Sequence, residues 1–174
     1  MPELIDPTTR LRTSFLAAVT EFRADRDYPV PWFVTNVDSQ ALTDATAFTA
    51  YVARVLSERD EAAVRADGFV AMTTLWWAED GQMLGRLAIR HRLTPALERV
   101  GGHIGYDVRP SARRQGHATA MLAAALPIAG SLGIAQALLM CDEANTASQR
   151  VIEANGGRFI DMVGHKRRYW VPTS

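Results

Sequence analysis

Three arginines, Arg109, Arg113 and Arg114, crowd the front of RPSARRQGHATAML (Arg109 to Leu122), where a basic loop passes through Gly116 into an apolar run at helical spacing. Side chains of this kind ahead of a helix can receive an anion. The first amides of a helix lack partners within it and carry partial positive charge, so a phosphate satisfies both. Gly116 lets backbone approach the ligand closely and Ala118 keeps the first turn clear, while Arg113 and Arg114 add charge-assisted bonds. The same stretch also reads as a solvated basic turn in front of a core helix. No Gly-Lys-Ser/Thr follows and only one glycine precedes the helix, which excludes a Walker loop and a dinucleotide fingerprint.

Other reactive side chains are sparse. His91, His103, His117 and His165 lack metal-ligand spacing, so no metal is expected. Cys141 ends an apolar strand with no adjacent His-Asp pair, and reads as a buried thiol rather than a nucleophile. Trp76 and Trp77 alternate across a strand, so one faces the core and the other is free to line a cleft. Trp32, in a proline-rich loop, is a candidate wall of that cleft.

The elements that must position these groups follow from periodicity. Leu11, Phe15, Ala18 and Phe22 mark a first amphipathic helix, and the prolines of DYPVPWF (Asp27 to Phe33) break it. A second helix starts at Thr43 or Asp44, carries Phe48, Tyr51, Val52 and Val55 inward, and fades near Ala66. FVAMTTLWW and QMLGRLAI read as a hairpin around AEDG, followed by a short helical turn in TPALERVGG. HIGYDV (His103 to Val108) is the next strand. The helix after the basic loop runs to about Leu132, with a kink expected at Pro127. AQALLMC (Ala135 to Cys141) is a buried strand. Thr146 and Gln149 are spaced as a capping box for a helix to Asn155, and a hairpin turning at Gly164-His165 closes the chain.

Composition bounds the rest. The 174 residues suit a single domain over 1–174, and 48% apolar with 22% charged residues reads as globular. Zero net charge argues against a nucleic-acid or membrane-surface binder, so Lys166-Arg167-Arg168 reads as a solvated strand edge. One cysteine permits no internal disulfide and suggests a reducing compartment. With no signal-peptide pattern in MPELIDPTTR and no apolar run long enough to span a bilayer, a cytoplasmic protein is expected.

Arg113-x-x-Gly116-x-Ala118 after a strand resembles the acetyl-CoA pyrophosphate loop of the GNAT N-acetyltransferase superfamily. CDEANTASQRVIEANGG (Cys141 to Gly157) resembles that family's next unit: a strand end, an asparagine and a short helix closed by glycine. RHRLTPALERVGGHIGYDVRPSARRQGHAT and the terminal RRYW are similar to one bacterial branch of it. The specific likeness runs from about Phe69 to Trp170.

The resemblance implies an α+β GNAT-like fold, a mixed central sheet with two N-terminal helices and a parallel strand pair that splays to bind coenzyme A. Arg113, Arg114, Gln115, Gly116, His117, Ala118 and Thr119 would hold the pyrophosphate of acetyl-CoA. The main chain of Tyr106, Asp107 and Val108 would align pantetheine, with Asn145 and Ser148 beside it. The implied reaction is direct transfer of the acetyl group to a primary amine. Ile152 stands where many relatives carry a tyrosine acid, and Gly102 where they often carry a Glu or His base. Tyr106, on the strand face that the likeness turns toward the acceptor, is therefore the first candidate near the chemistry, and His103 the second. Glu21, Asp25, Asp27, Asp38 and Asp44 in the N-terminal part suggest a small cationic acceptor. A non-catalytic acyl-CoA sensor on the same scaffold is the alternative, and the sequence leaves room for a homodimer.

Overall fold

Two amphipathic helices cover one face of a four-stranded sheet, and a third, longer helix covers the other. The computed structural model describes residues 1–63 and 65–174. Helix α1 (Arg12–Ala24) buries Phe15, Ala18, Val19 and Phe22, the stripe its spacing predicts. Helix α3 (Ala45–Ser57) starts where Asp44 accepts a bond from the Ala47 amide at 2.9 Å, and buries Phe48, Val52 and Val55. It stops at Ser57 rather than near Ala66, because Glu58 spends its carbonyl on the Met72 amide at 2.9 Å and so ties the chain to the next strand. The proline-rich break contains a further short helix, α2 (Trp32–Thr35).

Strands β1 (Glu3–Ile5), β2 (Met72–Glu79), β3 (Gln82–Arg90) and β4 (Ile104–Val108) form one antiparallel sheet in that order. The β2–β3 turn places Asp80 and Gly81 at φ 49° and 76°, the paired left-handed residues that match strand twist. Strand β1 has no sequence signal of its own and is defined by pairing to Trp76–Ala78 of β2. Short helix α4 (Pro95–Arg99), capped by Thr94, leads into β4. Helix α5 (His117–Ser131) continues through Pro127 and packs Met121, Leu122 and Ala125 against Leu87, Ile89 and Ile104. Strand β5 (Gln136–Asp142), helix α6 (Thr146–Ala154) and the hairpin of β6 (Arg158–Val163) and β7 (Lys166–Pro172) follow, and β5, β7 and β6 make a second antiparallel sheet.

The two sheets meet at one place. The His103 amide donates to the Leu138 carbonyl at 2.7 Å, and the Leu138 amide donates to His103 Nδ1 at 2.8 Å. Beyond this junction no ladder joins β4 to β5 among the described residues. Farther along β4, Tyr106 reaches Ser148, which follows β5 in the chain. The two strands therefore run the same way from a shared start and diverge. Among the described residues no helix is long and apolar enough to cross a membrane.

Candidate active site

The diverging strands leave the facing edge of β4 unpaired. Antiparallel residues alternate between bonded and non-bonded pairs. The bonds Arg90 N to His103 O and Arg109 N to Leu84 O put the bonded positions of β4 at its odd residues. Gly105 and Asp107 thus spend their main chain on β3, whereas the amides and carbonyls of Ile104, Tyr106 and Val108 point toward β5. An extended amide-bearing arm can pair with Tyr106 and Val108, as the likeness implies. Asp107 cannot contribute its main chain in the same way.

Helix α5 opens at the end of this gap. Its N-cap, Gly116, is left-handed at φ 82°, and no side chain caps the helix. Arg114 is also left-handed at φ 60°. Among the described residues the amides of Arg114, Gln115, Gly116, His117, Ala118 and Thr119, which span these two reversals, donate to no protein acceptor. A helix N-terminus with uncapped amides suits a phosphate. Trp77 Nε1 donates to His117 Nδ1 at 3.2 Å, which holds that ring against the sheet.

The arginines are used differently from the expectation. Arg109 Nε donates to Glu21 at 2.7 Å, and Glu21 also accepts from the Ser111 amide at 2.9 Å. Arg113 pairs with Asp25 at 2.8 Å, donates to the Val108 carbonyl at 3.2 Å, and lies over the Tyr28 ring. Two acidic residues of the α1 segment therefore clamp the loop, and Arg113 is engaged with Asp25, the Val108 carbonyl and the Tyr28 ring. Only Arg114 keeps an exposed side chain there. Of the acidic residues in this part, Glu21 and Asp25 are paired with Arg109 and Arg113, whereas Asp38 and Asp44 accept from the amides of Ala41 and Ala47 and keep their charge.

This clamp is pH-sensitive. Burial pushes the Glu21 carboxyl up, but the Ser111 amide and hydroxyl and Arg109 outweigh it and hold it below the ordinary value. The Arg113 bond, against a smaller desolvation, does the same for Asp25. Depressed carboxyls stabilise the fold above their unfolded pKa, about 4, and that contribution is lost as pH falls through the folded values. Thermal midpoints should drop between pH 5 and pH 3. The Glu21→Gln, Asp25→Asn double variant should start about 2 kcal/mol less stable and show a shallower acid slope.

Tyr106 and Ser148, assigned by the likeness to different tasks, touch: Tyr106 Oη lies 2.7 Å from Ser148 Oγ. With Ile104 and Val108, Tyr106 packs on the face covered by α5 and α6. The face toward α1–α3 belongs to the other set, in which Asp107 stands opposite Arg86. Alternation alone separates the sets, and packing puts Tyr106 on the side of α5 and α6, away from α1 and α3. Burial raises its phenol pKa above the usual value despite the Ser148 bond, so it keeps its proton at neutral pH. Burial likewise raises the Cys141 thiol, which lies near the same pair.

His103 is buried, and burial lowers its pKa. Its Nδ1 already accepts from Leu138, so the neutral ring carries its proton on Nε2 and has no free basic nitrogen. Asn145, rather than Thr146, caps α6, accepting from the Ser148 amide at 3.1 Å and so fixing the serine's position. Ile152 is fully buried, and a tyrosine there would overpack the core. Gly102 has no room for a base, because a Cβ would fall 2.4 Å from the Leu138 carbonyl oxygen.

Sequence reasoning missed Arg86 and Thr74, both buried on the α3-covered face. A lone arginine inside QMLGRLAI was the available signal.

Comparison with known proteins agrees with this geometry. A family model for the acetyltransferase (GNAT) domain matches residues 9–158. RimJ of Mycobacterium smegmatis, solved with a CoA disulfide, is similar with a TM-score of 0.67 and 19% identity, over 98% of this chain and 80% of that one. RimL, a ribosomal L7/L12 alpha-N-protein acetyltransferase solved with coenzyme A, gives 0.61 and 18% over 98% and 93%. The PaiA N-acetyltransferase of Thermoplasma acidophilum, solved with coenzyme A, gives 0.61 and 11% over 99% of both chains. At these identities the likeness is one of fold. No curated protein sequence matches the chain. With a matching model over most of its length and uncapped amides at the mouth of a splayed strand pair, the chain belongs to the GNAT acetyltransferase family and is an acetyl-CoA-dependent N-acetyltransferase.

Proposed function

We propose that the acetyl group passes directly from acetyl-CoA to the primary amine of a small acceptor, with the Tyr106–Ser148 pair at the departing sulfur. The observation that carries this reading is the 2.7 Å contact between those hydroxyls, one of them on β4, whose edge toward β5 is unpaired. The neutral amine forms the new C–N bond as the C–S bond breaks, and the amine sheds one proton. Much of the rate comes from positioning and from main-chain amides that polarise the carbonyl. A thiol has a pKa of about 8.5, below that of a phenol, so full transfer from Tyr106 to the thiolate is uphill. Tyr106 instead donates a hydrogen bond to the developing thiolate, oriented by Ser148.

Tyr106→Phe should lower turnover about 10-fold to 100-fold, the value of one hydrogen bond to a charged group. The KM for acetyl-CoA should hold, and Ser148→Ala should reproduce part of the loss. Steady-state kinetics check this, and unchanged turnover in both variants would make the pair a packing contact. The reading as a whole is tested by free-thiol release from acetyl-CoA across a panel of primary amines. Amine-dependent release supports it; coenzyme A binding without release by any amine returns the sensor alternative.

The acceptor reading departs from the sequence expectation in one respect. Glu21 and Asp25, two of the acidic residues expected to favour a cationic acceptor, are spent on Arg109 and Arg113 and lend that charge less support.

A further inference from the structure

The α3-covered face of the sheet holds an open cavity of about 310 Å³, lined by Trp32, Phe33, Tyr51 and Glu58 on the helix side and by Thr74, Trp76 and Arg86 on the sheet. Arg86 is only 8% exposed, and its Nε has no hydrogen-bond partner. Among the described residues no carboxylate lies within salt-bridge distance of it. The hydroxyl of Thr74, 4% exposed, is also without a partner. The guanidinium lies over the Phe33 ring at 5.0 Å, which orients its plane without neutralising it. Arg54, on the same cavity wall, is paired with Glu58 at 2.6 Å and adds no net charge.

A buried guanidinium that is drawn only from a distance by Asp107, and that makes no hydrogen bond among the described residues, is costly to the fold. Two unsatisfied donors on one wall of a cavity call for an acceptor from outside. We propose that this cavity binds the carboxylate of the acceptor, on Arg86 and Thr74, and that the enzyme's substrates are amines of amino-acid type. This rests on the reading of the chain as an amine acetyltransferase.

One planar fork and one hydroxyl match the two oxygens of a carboxylate, and a single cation with Asp107 close by suits a monoanion better than a phosphate dianion. The neighbours fit an amine as well. Asp107 stands opposite Arg86 across the β3–β4 ladder, on the same face and one strand, about 4.8 Å, nearer the gap. Burial raises the Asp107 carboxyl against the pull of Arg86 and Arg113, which makes it a better proton acceptor than an exposed aspartate. A carboxylate held on Arg86 thus directs an amine past Asp107 toward the free edge of β4.

The test compares free amino acids with the matching amino-acid amides and aminophosphonates in the thiol-release assay. Amides have the less basic amine, so reactivity alone favours them. The proposal expects the free acids to have KM values at least tenfold lower than the amides, and lower than the phosphonates. Arg86→Met should remove that preference, with acetyl-CoA affinity unchanged by calorimetry. N-acetyl-amino acids, the products, supply a readout without turnover: with coenzyme A present they should bind wild type at least tenfold more tightly than Arg86→Met. If amines release thiol but acids show no preference, or phosphonates are favoured, the carboxylate site is overturned while the transferase reading stands. If no amine releases thiol and the products bind both proteins equally, both fail.

Discussion

Gly116→Glu should all but remove acetyl-CoA binding in a protein that still folds, a loss of roughly 100-fold or more in affinity. Gly116 is left-handed at φ 82°, and a Cβ there would meet no heavy atom within 4 Å. The cost to the fold is therefore the left-handed strain alone, about 1–2 kcal/mol. The cost to binding is larger. The new carboxylate sits among the amides of Arg114 to Thr119, satisfies some of them itself, and repels the incoming pyrophosphate. Affinity by calorimetry should fall at least 100-fold, about 2.7 kcal/mol. Gly116→Ala carries the strain without the charge and should stay within about tenfold of the wild type. An unchanged affinity in the folded Glu variant would remove the loop from the binding site.

The largest loss of stability is expected at Gly102. It is left-handed at φ 64°, and a Cβ there would lie 2.4 Å from the Leu138 carbonyl oxygen, a backbone atom with nowhere to yield. The next residue, His103, makes the bonds that join the two sheets. Gly102→Ala must separate these strands or bend the chain out of the junction. Conformational strain and the disturbed bonds together should cost roughly 3 kcal/mol or more. Urea denaturation should show it as a lower midpoint at unchanged slope. Coenzyme A affinity should fall in the variant, because this junction sets where β4 and β5 begin to part. A variant as stable as the wild type would mean that the junction does not hold the gap.

The parts of this site that were legible in the sequence are those whose causes are local. Gly116 between a basic turn and an apolar helix marks the start of α5, because both the left-handed cap and the helical stripe are written within a few residues. Asn145 was singled out only through the family likeness, whereas the local spacing pointed to Thr146 as the cap that Asn145 in fact supplies. What depends on distant partners was not legible. Arg109 and Arg113 advertise positive charge, but nothing nearby in the chain says that α1 will bring Glu21 and Asp25 against them.

Alternation along β4 separates Tyr106 from Asp107, yet it cannot say which set meets α5 and which meets α3. That choice is made by the helices on either side. Arg86 was overlooked because a charged residue in an alternating strand reads as solvent-facing. Here helices cover both faces of the sheet, so the same residue is buried. Strand β1 is too short to carry a period, and its register comes entirely from β2.

The central claim is that the loop before α5 and the free edge of β4 together hold acetyl-CoA. Residue-resolved amide hydrogen exchange, with and without coenzyme A, tests it most directly and needs no acceptor. The account predicts slowed exchange at Arg114 to Thr119 and at Tyr106 and Val108, whose amides have no protein acceptor in the free protein. Gly105 and Asp107 should change little, since β3 already protects them. Slowed exchange confined to other elements, with Arg114 to Thr119 unaffected, would contradict it.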